Sequence, residues 1–359
     1  MSVATKPHTA PLNAEPRRAR QRRRLSSKPI RIALQIGLAA AVMWLAVAAA
    51  GGLRDALHVM GQMRAWLVAL AVGSIVLRFV LLAAQVRRVI GRGELGVGVA
   101  WALALVVFGL GAVTPAAPAE GLALAAHELC RRAVPTRLTL LMLAVLEWFT
   151  QRIFLVVGAA DLALVLAVRH LTRPERWTSA SLLVAAAVLV AVSGLIVNNP
   201  RTIEFAVRVT ASIRLRQWRV DGIDDRTAAH EWRSLVRSIV GNRRNRLWLG
   251  ALSAGAVLAD AGALWFTCHA AGLRIQLDIA LLGAVAGNVA TWVPLLPSGL
   301  GLVEVAVPAI LHRFGASLDG ALAATLVYRG LGTLAPSLFG LGSLIALRSR
   351  RIEPTDHDG

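Results

Sequence analysis

Two pairs of closely spaced prolines, each followed by a lone glutamate, interrupt this chain inside long apolar stretches. Pro115 and Pro118 precede Glu120, and Pro294 and Pro297 precede Glu304. Proline has no backbone N–H, so each pair forces an unwound apex from which a return arm must start a new helix. The first-turn N–H groups of such a half-helix are unpaired and form a partial positive pole, suited to a phosphate or a carboxylate. Ser298 and Gly299 have the chemistry of N-cap residues, and Gly299 with Gly301 permits close backbone approach. Glutamates beside such a pole can bind a cationic headgroup or exchange a proton. Glu120 falls in the first turn of its arm, where it can also serve simply as a cap. Glu304 is expected one turn deeper, where capping is less natural.

Three arginines lie within apolar segments and need partners. Arg152 in a long helix and Arg329 in the last span suit phosphate contact, because a guanidinium offers a rigid two-toothed fork. Arg78 and Asp260 sit near the middle of two spans in corresponding positions, the arrangement of an intramembrane ion pair that fixes helix packing. Asp161 and Asn288 could face the same cavity or make interhelical hydrogen bonds. No metal site is expected: the eight histidines are scattered, and Cys130 and Cys268 have neither metal nor disulfide spacing. No nucleophile elbow, zinc motif, phosphate loop or dinucleotide fingerprint occurs, so neither an enzyme nor a bound cofactor is expected.

The elements that position these groups follow from composition. Of 359 residues, 56% are hydrophobic and 16% charged, with a mean hydropathy of +0.62. A soluble domain cannot hide that much apolar surface, and several runs reach the roughly 20 residues that cross a bilayer. The expected fold is an all-α polytopic membrane protein with six full spans and two re-entrant helical hairpins. Residues 1–29 form a basic tail, expected to be disordered on the cytoplasmic leaflet, with no cleavable signal peptide. A first membrane half covers 30–197 and contains the hairpin 96–130, and a second covers 247–347 and contains the hairpin 277–312. Between them, residues 198–246 hold eleven arginines and five acids, and a short tail covers 348–359. Trp232, Leu235, Val236 and Ile239 recur at helical spacing, which predicts an amphipathic helix resting on the membrane surface.

The net charge of +19 is read as a topology signal and as attraction to anionic lipid at the tail and linker, not to nucleic acid. With both termini in the cytoplasm, 29 of the 39 Lys and Arg residues fall inside and 7 outside. The return arms hold 12 and 13 apolar residues. At about 1.5 Å per residue they are too short for a core about 30 Å thick, which favours re-entrant hairpins over full crossings. Two spans, a hairpin and a long helix occur in each half, with the hairpins entering from opposite sides. Inverted repeats of this kind recur in secondary transporters that rock around a midplane site.

The segment Pro115-Ala-Ala-Pro-Ala-Glu-Gly121, with Arg152 in the long helix that follows, resembles the first motif of the lysylphosphatidylglycerol synthase membrane-domain (flippase-like) family. Pro297-Ser-Gly-Leu-Gly-Leu-Val-Glu304, with Arg329 farther on, resembles its second. The resemblance implies functional positions at Pro118, Glu120, Arg152, Pro297, Gly299, Gly301, Glu304 and Arg329. Ala119 and Ser298 depart from the family pattern, which has glycine there. The family implies a bacterial inner-membrane protein that moves a phospholipid, typically an aminoacylated one, or an envelope glycolipid between leaflets. A separate lipid-modifying enzyme is then an expected partner, because the short tail leaves no room for a synthase domain. Movement would be uncoupled, or driven by membrane potential or protons. A non-catalytic scaffold for an envelope-lipid enzyme and a small-solute secondary transporter are the alternatives.

Overall fold

The computed structural model describes residues 58–90, 95–113, 118–130, 136–169, 173–198, 234–239, 241–291 and 297–349. The expected basic tail, the first span and most of the central linker lie outside these residues. Among the described residues every regular element is helical. In chain order they are α1 (Ala65–Ile90), α2 (Val97–Ala104), a π-helical stretch (Leu105–Leu110), α3 (Gly111–Val113), α4 (Pro118–Cys130), α5 (Thr136–Val168) and α6 (Arg173–Asn198). There follow α7 (Arg243–Ala270), α8 (Leu277–Thr291), a 3-10 turn (Pro297–Gly299), α9 (Leu302–Arg313), α10 (Leu318–Arg329), a second π-helical stretch (Gly330–Leu334) and α11 (Ala335–Ser349).

Among the described residues, four stretches are long and apolar enough to cross a membrane: Ala65–Ile90, Leu141–Val168, Arg243–Ala270 and Leu318–Leu347. α6 is a continuous helix that carries the apolar stretch Ser179–Val192, within the first expected membrane half, 30–197. α1 and α7 run on past their apolar stretches into basic turns, with Arg87 and Arg88 at the end of α1 and Arg243 and Arg244 at the start of α7.

α1 and α7 form the central pair. They run antiparallel: the Arg64 N–H before α1 donates to the carbonyl of Ala270 at the end of α7 (3.3 Å). At the other end, Arg88 Nε donates to Asn245 Oδ1 (2.6 Å). On α1, Leu67, Ala71, Ile75, Phe79, Leu82 and Val86 recur at three- and four-residue steps and are buried. Trp66, Leu70, Leu77 and Val80 on the opposite side stay exposed, as a lipid-facing surface requires.

The helix predicted to rest on the membrane surface does something else. Residues 234–239 are helical, but Leu235 and Ile239 are buried in the bundle, in the cluster that contains Val89, Leu146 and Leu249. Asn245 Nδ2 donates to the Ile239 carbonyl (2.6 Å), tying this helix to α7, while Trp232 lies outside the described residues. The apolar stripe is satisfied by protein rather than lipid because the bundle end offers a matching apolar surface.

The first π-helical stretch is wedged between neighbours that approach without side chains between them. A Cβ at Gly340 would lie 2.5 Å from the Leu105 carbonyl oxygen, and one at Gly109 would lie 2.5 Å from that of Pro336. Within the hairpin, a Cβ at Gly121 would lie 2.6 Å from the Val107 oxygen and 2.9 Å from the Gly111 Cα. Small residues let backbones close on one another where burial of apolar surface provides no drive. Ser337 Oγ lies 2.6 Å from the Thr333 carbonyl and 2.9 Å from that of Gly109, so one hydroxyl proton serves two acceptors. We expect Gly340→Ala to force α11 off the π-helical stretch and to destabilise the protein by about 1–3 kcal/mol, read as a lowered midpoint of thermal unfolding in detergent.

Candidate functional site

The second broken hairpin consists of α8 and α9, joined through the turn Pro297–Gly299. Ser298 is left-handed (φ 56°, ψ 18°), and so are Gly299 (φ 62°) and Gly301 (φ 87°). At Gly299 a side chain is excluded twice, since a Cβ would also lie 2.8 Å from the Ala290 oxygen. This left-handed run delays the helix: α9 starts at Leu302 and its N-cap is Gly301, not Ser298 or Gly299. Glu304 is thereby drawn into the first turn. Its Oε2 accepts from the Gly301 N–H at 2.6 Å, so the glutamate expected to lie too deep for capping is the cap. A glycine N-cap has no side chain to answer it, and the exchange is one-sided.

The other oxygen of Glu304 belongs to Arg329, the last residue of α10. Arg329 Nε donates to Glu304 Oε1 (3.1 Å), and both side chains are buried. The remaining edge of the guanidinium grips the apex. Nη2 donates to the Ser298 carbonyl (2.8 Å), and Nη1 donates to Ser298 Oγ and Thr333 Oγ1, both at 3.3 Å. Charge compensates charge, and the same fork satisfies backbone and hydroxyl groups that the kinked turn leaves free. Thr333 sits in the π-helical stretch that begins directly after Arg329, in the wide turn that often marks working sites.

The first hairpin comes to the same place. α3, at the end of its first arm, packs against both the Pro297–Gly299 turn and the Gly330–Leu334 stretch. Pro118 opens α4, with Glu120 in its first turn. Pro115 and Pro294 lie outside the described residues.

Arg152 is directed elsewhere. Its guanidinium stacks over Trp148 (5.0 Å to the ring centroid) and donates to the Val190 carbonyl on α6 (3.2 Å). Among the described residues no hydrogen bond joins it to Glu304 or Arg329. Arg78 and Asp260 meet across the central pair, with Nη1 to Oδ1 at 2.9 Å. Asp260 Oδ2 also accepts from the Tyr328 hydroxyl (2.9 Å), which connects this pair to the residue before Arg329. The sequence reading passed over Tyr328, Ser298 as an arginine ligand, and Thr333. Tyr328 is the one tyrosine of the chain and adjoins a buried arginine, and Thr333 stands one turn beyond that arginine. Those were the available signals.

Two expectations follow. Arg329→Lys keeps the charge but cannot reach Glu304, Ser298 and Thr333 together. It should lower the unfolding midpoint nearly as far as Arg329→Gln does in detergent-solubilised protein. Arg78→Leu leaves Asp260 buried with Tyr328 alone and should cost about 3–5 kcal/mol. Arg78→Leu combined with Asp260→Leu should cost less than the single change, in equilibrium unfolding of both variants.

The family model described as the lysylphosphatidylglycerol synthase TM region matches residues 32–340 of this chain. No curated protein matches it. The matched stretch holds both broken hairpins and the Glu304–Arg329 pair. The chain is a multi-pass membrane protein and belongs to the lysylphosphatidylglycerol synthase transmembrane-region family.

Proposed function

We propose that the chain is a lipid translocase of the bacterial cytoplasmic membrane, moving a polar-headgroup phospholipid or envelope glycolipid between leaflets. The observation that carries this reading is the meeting of the two broken hairpins beside a buried, exchangeable arginine. α8 and α9 are 15 and 12 residues long. At about 1.5 Å per residue, arms of this length end inside a core about 30 Å thick, which supports reading this hairpin as re-entrant. Irregular backbone at that depth belongs where protein or a polar cavity surrounds it. The repeated order of span, hairpin and long helix, together with the antiparallel α1–α7 pair, supports an inverted repeat rocking around this point.

Arg329 is bound firmly on two sides and loosely on the third. Among the described residues its Nη1 is engaged by two hydroxyls at 3.3 Å, beyond the usual 2.9–3.0 Å. A phosphate oxygen can replace Ser298 Oγ or Thr333 Oγ1 there without breaking the ion pair to Glu304. Glu304, whose carboxylate lies beside that phosphate position, adds negative charge that favours a cationic or hydroxylated headgroup, and Glu120 is proposed to contribute likewise. Arg152, stacked at the α5–α6 groove, is suited to receive the phosphate at the edge of the path. The protein is not an enzyme in this reading and takes its substrate from a separate lipid-modifying enzyme.

Arg88, Arg237, Arg243, Arg244 and Arg246 gather at one end of the bundle, joined there by the Arg88–Asn245 bond. The positive-inside rule places that end in the cytoplasm, next to anionic lipid.

The test is a leaflet-resolved assay of labelled lipids in proteoliposomes. The protein should exchange at least one lipid class faster than empty vesicles, and Arg329→Gln or Ser298→Ala combined with Thr333→Ala should slow it roughly tenfold. Exchange no faster than in empty vesicles for every lipid tried overturns the proposal. Retention of function by Arg329→Gln in cells, with loss only on changing residues 198–246, would instead establish a scaffold.

A further inference from the structure

α5 carries a second set of polar groups that the headgroup site does not use. Glu147, Gln151, Gly158, Asp161 and Arg169 follow one another at steps of whole helical turns and form one stripe along the helix. Glu147 Oε1 accepts from Gln151 Nε2 (2.7 Å). Glu147 Oε2 and Asp161 Oδ2 are buried and have no hydrogen-bond partner among the described residues. α8 faces the end of this stripe from Gly158 to Arg169, and it runs antiparallel. Arg169 Nη2 donates to Asp278 Oδ2 (2.7 Å) at one end, and farther along a Cβ at Gly158 would lie 2.6 Å from Val285 Cγ1. Continuing that register carries Asn288 past the level of Gly158, between Asp161 and Glu147, and its Oδ1 is likewise buried without a partner.

Among the described residues these three acceptors, two on α5 and one on the adjoining α8, lack a donor, while Trp148 Nε1 of α5 and Gln85 Nε2 of α1 are buried donors without an acceptor. Each orphaned buried polar atom costs about 1–3 kcal/mol, and ionisable groups at membrane depth are functional by default. Fixed cations do not fill the need. Arg78 of α1 acts on Glu147 but is engaged by Asp260 of α7. Asp278 of α8 acts on Asp161 and is itself held by Arg169. On the other packed helices, His127 and Glu128 of α4 and Arg176 of α6 stand in the terminal turns.

We propose that Asp161 and Glu147 are the proton-carrying groups of the translocase, loaded from the Arg169–Asp278 end and unloaded toward the opposite end. The inference rests on the transport reading and supplies its driving force, a proton gradient. A proton entering at the first end forms an O–H bond at Asp161 Oδ2 and neutralises that carboxylate. Its passage past Asn288 breaks that bond and forms one at Glu147 Oε2, and release restores both carboxylates. The two stations are 14 positions apart on α5, about 21 Å of helix, so the passage runs over water drawn in along the stripe as the halves move.

The experiment uses the full chain in phosphatidylglycerol–phosphatidylethanolamine vesicles holding a pH-sensitive dye and leaflet-labelled lipid, with an imposed pH gradient. The wild type should dissipate the gradient faster than empty vesicles and move lipid faster with the gradient than without it. Asp161→Asn and Glu147→Gln should each lower the proton flux roughly tenfold while retaining gradient-independent lipid movement. Both replacements keep shape and acceptor, and their thermal unfolding reports assembly. If either fails to assemble, Asn288→Ala takes its place and must lose the flux. Lipid movement without proton flux in the wild type, or flux undiminished in the variants, overturns this inference and leaves the translocase standing. Proton flux lost in both variants with no lipid movement upholds the proton sites and overturns the lipid reading.

Discussion

A broken helix inside a bilayer must find partners for the backbone groups it frees, and no water is at hand to supply them. Arg329 meets that demand at the second apex. One guanidinium serves the Ser298 carbonyl, two hydroxyls and the Glu304 carboxylate. The carboxylate in turn takes the first free N–H of α9. Without this exchange the left-handed run at Ser298, Gly299 and Gly301 would be strain without compensation. The position of the half-helix, the join to the last span and the approach of the first hairpin all depend on it.

The same economy governs the surrounding bundle. Apolar burial offers little drive between helices that already lie in hydrocarbon, so contact comes from fit and from polar links. Gly109, Gly121 and Gly340 bring backbones together around the first π-helical stretch. Arg78, Asp260 and Tyr328 link three helices by side chains, and the last of these stands beside Arg329. The central ion pair and the apex ion pair are therefore neighbours in one polar core, not separate ornaments.

Much of this could be read in the residues. Proline cannot hide, so the second hairpin, from Leu277 of α8 to Arg313 of α9, lies within one residue of the expected 277–312. Arg78 and Asp260 are legible as partners because each is a charge stranded near the middle of an apolar helix. What could not be read was local backbone handedness. A serine gives no warning that it will adopt positive φ, and that single turn shifts the helix start and turns Glu304 from a deep carboxylate into a cap. Side-chain direction was equally hidden. Arg152 points to α6 because Trp148 offers a stacking face on its own helix, four residues earlier. The apolar face of residues 234–239 shows its periodicity but not what covers it, and the bundle rather than the membrane does so.

Ser337 stands where the last span crosses the first hairpin, with one hydroxyl proton between two carbonyl oxygens, those of Thr333 and Gly109. Given to Thr333, the proton closes α11 on itself. Given to Gly109, it fastens the last span to the other half of the molecule. Exchanging one for the other needs only a turn about a single C–O bond, so this crossing can slip and re-engage without ever leaving a hydroxyl unpaired.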